Sequence, residues 1–284
     1  MTFFPTRRAD RSTLNAPQPP PPAEAMRWPA LACLACLLVC AAGRALTLLT
    51  QPPGAKWLWL DGALILLAAA ATLLGQAQRL PLQNVVLAAG ICGAIGGTVQ
   101  AVGAATGVPF GSFAYTSKAG PLAFGHVPWL LPLLWVVVIL NGRSVARLVF
   151  RPWRKTRTYG FKVIGLTCLL ALAFALGLEP YASKLNGYWL WQVGQGHWRW
   201  YGAPWVCFLA WLLTALLILA FATPFLINKK PVKSPPFFQP LIIWLTFNLL
   251  LASGLAAGRL YLALWLILGT IVVTVLGAVG GSRW

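Results

Sequence analysis

The chain holds four carboxylates and two imidazoles, and their positions limit the chemistry it can perform. Asp10 and Glu24 lie in an N-terminal stretch rich in arginine and proline. That leaves Asp61, Glu179, His126 and His197 among long apolar runs and the connections between them. Ionisable groups are costly to place in apolar segments, so each is a candidate functional group. A carboxylic acid can protonate a reacting atom and its conjugate base can orient a water. Glu179 and Asp61 are therefore the candidate catalytic residues. Each candidate also has a structural reading. Asp61 follows Lys-Trp-Leu-Trp-Leu and could cap its helix. Glu179 precedes Pro180 at a helix end, where a negative charge opposes the helix dipole and a local role fits less well. His126 and His197 could be hydrogen-bonded structural residues or ligand contacts.

Other chemistries lack their motifs. The sequence has no phosphate-binding loop, dinucleotide fingerprint, Ser-His-Asp set or zinc motif. The two histidines lack the helical spacing of a haem site in a bundle. Six cysteines, Cys33, Cys36, Cys40, Cys92, Cys168 and Cys207, all fall within apolar runs. Cys33 and Cys36 form a C-x-x-C without the polar surroundings that stabilise thiolates, so they read as small apolar helix residues. No metal and no cofactor is expected.

The elements that must position these groups follow from composition. Of 284 residues, 59% are hydrophobic and 9% charged, with mean hydropathy +0.74. Soluble domains carry about 25% charged residues, which excludes a water-soluble fold with one core. The expected fold is all-α, a polytopic membrane helix bundle. A membrane helix needs about 20 apolar residues, and the runs 28–49, 57–76, 83–106, 127–149, 161–179, 201–227, 239–257 and 260–280 come close. About eight spans are expected. Seven is the alternative, because only Ala-Ala-Gly-Arg259 separates the last two runs.

The net charge of +18 could suggest a nucleic-acid partner, but the cations sit in short clusters between apolar runs, as orienting charges do. No nucleic acid is expected, and the basic loops can touch anionic lipid heads. With the N-terminus inside, the outer side keeps Arg44, Lys56, Lys118, Lys184, Arg199 and Arg259. The remaining cations lie inside, most densely at Arg143, Arg147, Arg151, Arg154, Lys155, Arg157 and Lys162. This bias predicts that both termini are cytoplasmic. Residues 1–25, with Arg7, Arg8, Arg11 and a proline run, read as a disordered cytoplasmic tail, and 26–284 as the transmembrane domain. The first apolar run reads as a retained helix because no convincing cleavage site closes it. Asp61, His126, Glu179 and His197 then all fall toward the outer face.

Two outer connections are unusual. One reads TGVPFGSFAYTSKAGPLAFGHVPW and the other LEPYASKLNGYWLWQVGQGHWRWYGAPW. Trp and Tyr settle at bilayer interfaces, so an aromatic belt is one reading. The other is a pocket for a long apolar or polyene ligand, whose developing positive charge ring faces would stabilise.

These connections also carry a resemblance. From Gln100 to Trp135, the residues Pro109-Phe110-Gly111, Phe113, Tyr115, Gly120-Pro121, Phe124-Gly125, Pro128, Pro132 and Trp135 resemble the carotenoid-biosynthesis membrane protein family that includes carotenoid hydratases. Glu179-Pro180, Gly187, Trp189, Trp191, Tyr201-Gly202-Ala203-Pro204, Phe208 and Trp211 match in the same order. The resemblance implies addition of water to the terminal double bond of an acyclic carotenoid end group. Such a reaction needs a protonated carboxylic acid, aromatic faces for the tertiary cation and an ordered water. The matching residues together with the ionisable groups placed toward the outer face make Phe110, Phe113, Tyr115, His126, Trp135, Trp189, Trp191, His197, Tyr201 and Trp211 the expected substrate contacts, with Glu179 as the acid and Asp61 as a candidate second carboxylate.

The chain departs from the family pattern at four positions. Gln100 stands where the family has Glu, Ala175 where it has Asp, Glu179 where it has Asp, and Cys207 where it has Asn. The lost acids keep two other readings open, a non-catalytic carotenoid- or isoprenoid-binding or transport protein and an enzyme acting on another isoprenoid or lipid. The expected partners are membrane lipid, a carotenoid or other isoprenoid, and other enzymes of the carotenoid pathway. The expected location is the bacterial cytoplasmic membrane.

Overall fold

Apolar runs of transmembrane length satisfy their backbone groups internally by coiling into helices, and each of the eight runs does so. The computed structural model describes residues 25–50, 58–192, 198–227 and 235–284. All but the last residue of the N-terminal stretch, and His197, lie outside the described residues. The helices are α1 (Arg27–Thr50), α2 (Leu58–Ala77), α3 (Leu82–Thr106), α4 (Leu131–Val149), α5 (Tyr159–Glu179), α6 (Trp205–Ala222), α7 (Gln239–Ala257) and α8 (Tyr261–Ser282). Among the described residues, eight helices, counting the continuation of α5, are long and apolar enough to cross a membrane. Arg259 separates the last two by adopting φ 55°, so these runs form two spans. The fourth and sixth runs start later than hydropathy suggests, because Val127–Pro128 and Ala203–Pro204 are strands.

Large apolar side chains such as Val39, Val86, Leu169, Phe221, Trp265 and Leu276 are exposed around the bundle, as a surface facing lipid requires. Helix α4 sits at the centre, packed on α2, α3, α5, α7 and α8. Its polar residues join helices across the apolar interior. Asn141 Nδ2 donates to Thr72 Oγ1 at 2.7 Å, and Gln76 Nε2 to Ser144 Oγ at 2.8 Å. Arg143, placed by sequence among the cytoplasmic charges, is buried and donates from Nη2 to the Leu226 carbonyl at 3.2 Å.

The two aromatic connections are built alike. Each leaves a helix, runs through one strand, then makes a two-stranded hairpin whose end leads into the next helix. The first holds β1 (Phe113–Tyr115), β2 (Leu122–Ala123) and β3 (Val127–Pro128), and the second β4 (Trp189–Trp191), β5 (Arg199–Trp200) and β6 (Ala203–Pro204). The hairpins turn at Phe124-Gly125 (φ 53° and 73°), with His126 as a third connecting residue, and at the two-residue connection Tyr201-Gly202 (φ 50° and 100°). Positive φ at both central residues is the hairpin turn that matches strand twist, which is why an aromatic-glycine pair recurs there. The two units join where β1 pairs antiparallel with β4, placing Phe113 opposite Trp191 and Tyr115 opposite Trp189. Bonds from Thr116 N to Tyr188 O (2.9 Å) and from Gln192 N to Ser112 O (2.8 Å) extend the ladder.

Candidate active site

Helix α5 carries Glu179 at its last turn and continues as a π-helical turn, Pro180–Asn186, before β4. Strand alternation aims Trp189 and Trp191 to the same face of β4, and that face meets the carboxyl group. Trp189 Nε1 and Trp191 Nε1 both donate to Glu179 Oε2, at 3.0 and 3.1 Å. Cys207, from the first turn of α6, places Sγ 3.5 Å from Oε1. Glu179 is only 3% exposed and has no cationic partner among the described hydrogen bonds and ion pairs. Both indoles thus engage Oε2, while Oε1 meets only the longer Cys207 thiol contact among the described hydrogen bonds.

A small cavity of about 10 Å³ lies against this group, large enough for about one water. Gln100, Phe110, Phe113, Tyr115, Leu131, Trp189, Trp191, Cys207 and Trp211 complete its wall. Tyr115 donates to Gln100 Oε1 at 3.2 Å. Burial, followed by the nearby Glu179, raises the Tyr115 phenol far above its ordinary range, so it stays a donor. Phe113 meets Tyr115 edge-on with centroids 5.2 Å apart, and Trp135 stacks behind Trp211 at 4.3 Å. Gly103 lets Phe110 reach this wall, since a Cβ there would lie 2.5 Å from the ring.

Asp61 belongs to a neighbouring polar network. Arg44 Nε donates to Oδ1 at 2.6 Å and Arg44 Nη2 to Oδ2 at 3.2 Å. The hydroxyls of Tyr181 (2.8 Å) and Tyr188 also donate to Oδ2. Arg44 Nη2 reaches Asn186 Oδ1 at 3.2 Å, and Asn186 Nδ2 returns to the Tyr181 carbonyl at 3.1 Å. Burial, followed by the adjacent Asp61, pushes the Tyr188 phenol far above its ordinary range. Asp61 is thus a paired carboxylate rather than a simple helix cap.

The structure brings Glu179, Phe110, Phe113, Tyr115, Trp189, Trp191 and Trp211 to one pocket, with Trp135 stacked behind it. It does not bring His126, exposed beside the β2–β3 turn, or Tyr201, which forms the other turn and packs on Trp200, into that wall. His197 lies outside the described residues. Sequence reasoning missed Arg44, which read as an orienting charge, and Tyr181 and Asn186. An arginine inside an apolar run was the available signal. Three of the four positions that depart from the family pattern, Gln100, Glu179 and Cys207, line this one pocket. The fourth, Ala175, is buried one helical turn before Glu179.

Residues 60–278 match the family described as carotenoid biosynthesis protein. Bisanhydrobacterioruberin hydratase of Haloarcula japonica is 27% identical over 179 residues, covering 57% of this chain. The match spans 58% of that relative's length. No solved structure matches significantly. With its eight apolar helices and a family match across most of its length, the chain belongs to the carotenoid biosynthesis protein family, as an integral membrane member.

Proposed function

We propose that the protein hydrates the terminal double bond of an acyclic carotenoid end group, with Glu179 as the acid. The observation that carries this reading is a buried carboxyl group facing a water-sized cavity inside an aromatic wall. Protonated Glu179 gives its Oε1 proton to the inner, less substituted CH carbon of the terminal double bond, and the electron pair of that bond forms the new C–H bond, leaving the positive charge on the terminal, dimethyl-substituted carbon. A tertiary cation results, which the faces of Tyr115, Trp189 and Trp191 stabilise. Water adds to the cation and returns one proton to the Glu179 carboxylate, so the acid is regenerated and the product is a tertiary alcohol. The two indole N–H groups hold Oε2 and stabilise the carboxylate that forms midway.

A second reading, binding or transport without chemistry, draws on Gln100. It supplies an amide where the family pattern has an acid, leaving Glu179 as the one carboxyl group in the pocket wall among the described residues. One experiment separates them. In a host accumulating lycopene-type carotenoids, the protein is expected to yield pigment heavier by one water per hydrated end, and Glu179→Gln to abolish it. Undiminished product from that variant removes Glu179 from the role. An unchanged pigment profile with well-expressed protein favours binding.

A further inference from the structure

A second cavity adjoins the Glu179 pocket and is far larger, about 570 Å³, within the range of about 300–1,000 Å³ that small-molecule sites occupy. Helices α2, α4, α5 and α7 and the loop at Lys118–Pro121 enclose it. Its lining is nearly all apolar, with the rings of Trp129, Phe174, Tyr188, Trp189 and Phe247 among the contributors. Asp61, Lys118, Tyr181 and Tyr188 are its polar exceptions, and each comes from the end of the bundle that carries the aromatic connections. Trp59, Leu66 and Trp129 line it and are also exposed on the outside of the bundle, at 63%, 42% and 43%. The cavity is therefore reached from the surface that faces lipid. Two residues, Leu131 and Trp189, line both cavities. The indole of Trp189 bonds Glu179 through its nitrogen while its ring walls the larger space.

We propose that this cavity binds the hydrocarbon chain of an acyclic isoprenoid substrate entering from the bilayer, and that Leu131 and Trp189 partition it from the Glu179 pocket. A polar metabolite would find too few hydrogen-bond partners in such a lining, and its own polar groups would be buried unpaired. Flat aromatic walls suit a flat conjugated chain, whose faces they can stack upon. The shared wall gives the chain end a route of one side chain's thickness to the acid. The inference rests on the proposed hydration for the identity of the chain but not for the existence of the site.

The test uses the full chain reconstituted in saturated phosphatidylcholine nanodiscs, with lycopene as the probe. Ala63 lines the cavity, whereas Cys36 is exposed on α1 and is absent from the lining. In an Ala63→Cys variant, lycopene is expected to slow maleimide labelling at position 63 at least tenfold and to leave Cys36 unaffected. The filling variants Ala63→Phe and Leu250→Trp are expected to retain less than a tenth of the lycopene bound by wild type, while Leu276→Phe on the outer face of α8 retains it. An introduced thiol that lycopene fails to protect, whether because the cavity excludes lycopene or because phospholipid fills it, overturns the proposal. So does full lycopene retention by both filled variants. Glu179→Gln separates the two ideas. If it binds lycopene normally but makes no alcohol, both stand. If it still makes alcohol while the filled variants lose lycopene, the acid assignment fails and the cavity stands.

Discussion

Replacing Arg44 by leucine removes the positive partner of Asp61, and the consequence can be worked from the geometry. The pair is held at 2.6 Å with side chains only 4% and 13% exposed. In Arg44→Leu, Asp61 keeps the hydroxyls of Tyr181 and Tyr188 but has lost its counter-charge. Breaking a buried pair from one side costs about 3–5 kcal/mol. At about 2–4 °C per kcal/mol for a chain of this size class, the melting midpoint should fall by roughly 6–20 °C. Asp61→Asn should also destabilise, because it strands the guanidinium with Asn186 as its neutral neighbour. The double variant Arg44→Leu/Asp61→Asn removes both charges and keeps an acceptor for the two tyrosines. It should lie within about 2 kcal/mol of wild type, since neutral replacement of a buried pair is often tolerated. The assay is thermal unfolding of detergent-solubilised protein, read by intrinsic tryptophan fluorescence. A single Arg44→Leu that melts with wild type, or a double variant whose loss equals the sum of the singles, would refute the argument.

Alkaline pH should act through the buried phenols. Tyr115 and Tyr188 hold their protons in the fold well above the ordinary value of 10.0, whereas the unfolded chain releases them near it. Their contribution to stability should be intact below pH 10 and decline above it. Melting midpoints across pH 9–12 should show the decline, and Tyr115→Phe/Tyr188→Phe should flatten it. Helix packing around the Asp61 network supplies another test. A Cβ at Gly254 would lie 2.6 Å from the ring of Tyr181, while one at Gly43 would meet nothing within 4 Å. Gly254→Ala should therefore cost about 1–3 kcal/mol in the same melt, and Gly43→Ala should cost nothing.

Much of the architecture was legible in the sequence because hydropathy is a local property. The eight runs coincide with the eight helices to within a few residues, apart from the two helix starts displaced by hairpins. The Phe124-Gly125 and Tyr201-Gly202 dipeptides were visible as motif residues, and the fold explains them as the left-handed pairs of two matching turns. Glu179 stood out because a carboxylate in an apolar run is rare and expensive. Its surroundings did not stand out in the same way. Gln100, Tyr115, Trp189 and Cys207 come from four separate elements.

Composition and spacing by themselves determined that this chain is a bundle of membrane helices with few ionisable groups and two aromatic connections at one end. Only the tertiary structure decided that those connections pair through β1 and β4, that Arg44 neutralises Asp61, and that Trp189 stands between an acid and an apolar cavity. The reason is physical. Helix formation in an apolar run depends on residues within a turn or two, whereas these contacts join segments far apart in sequence whose meeting depends on how every helix between them packs.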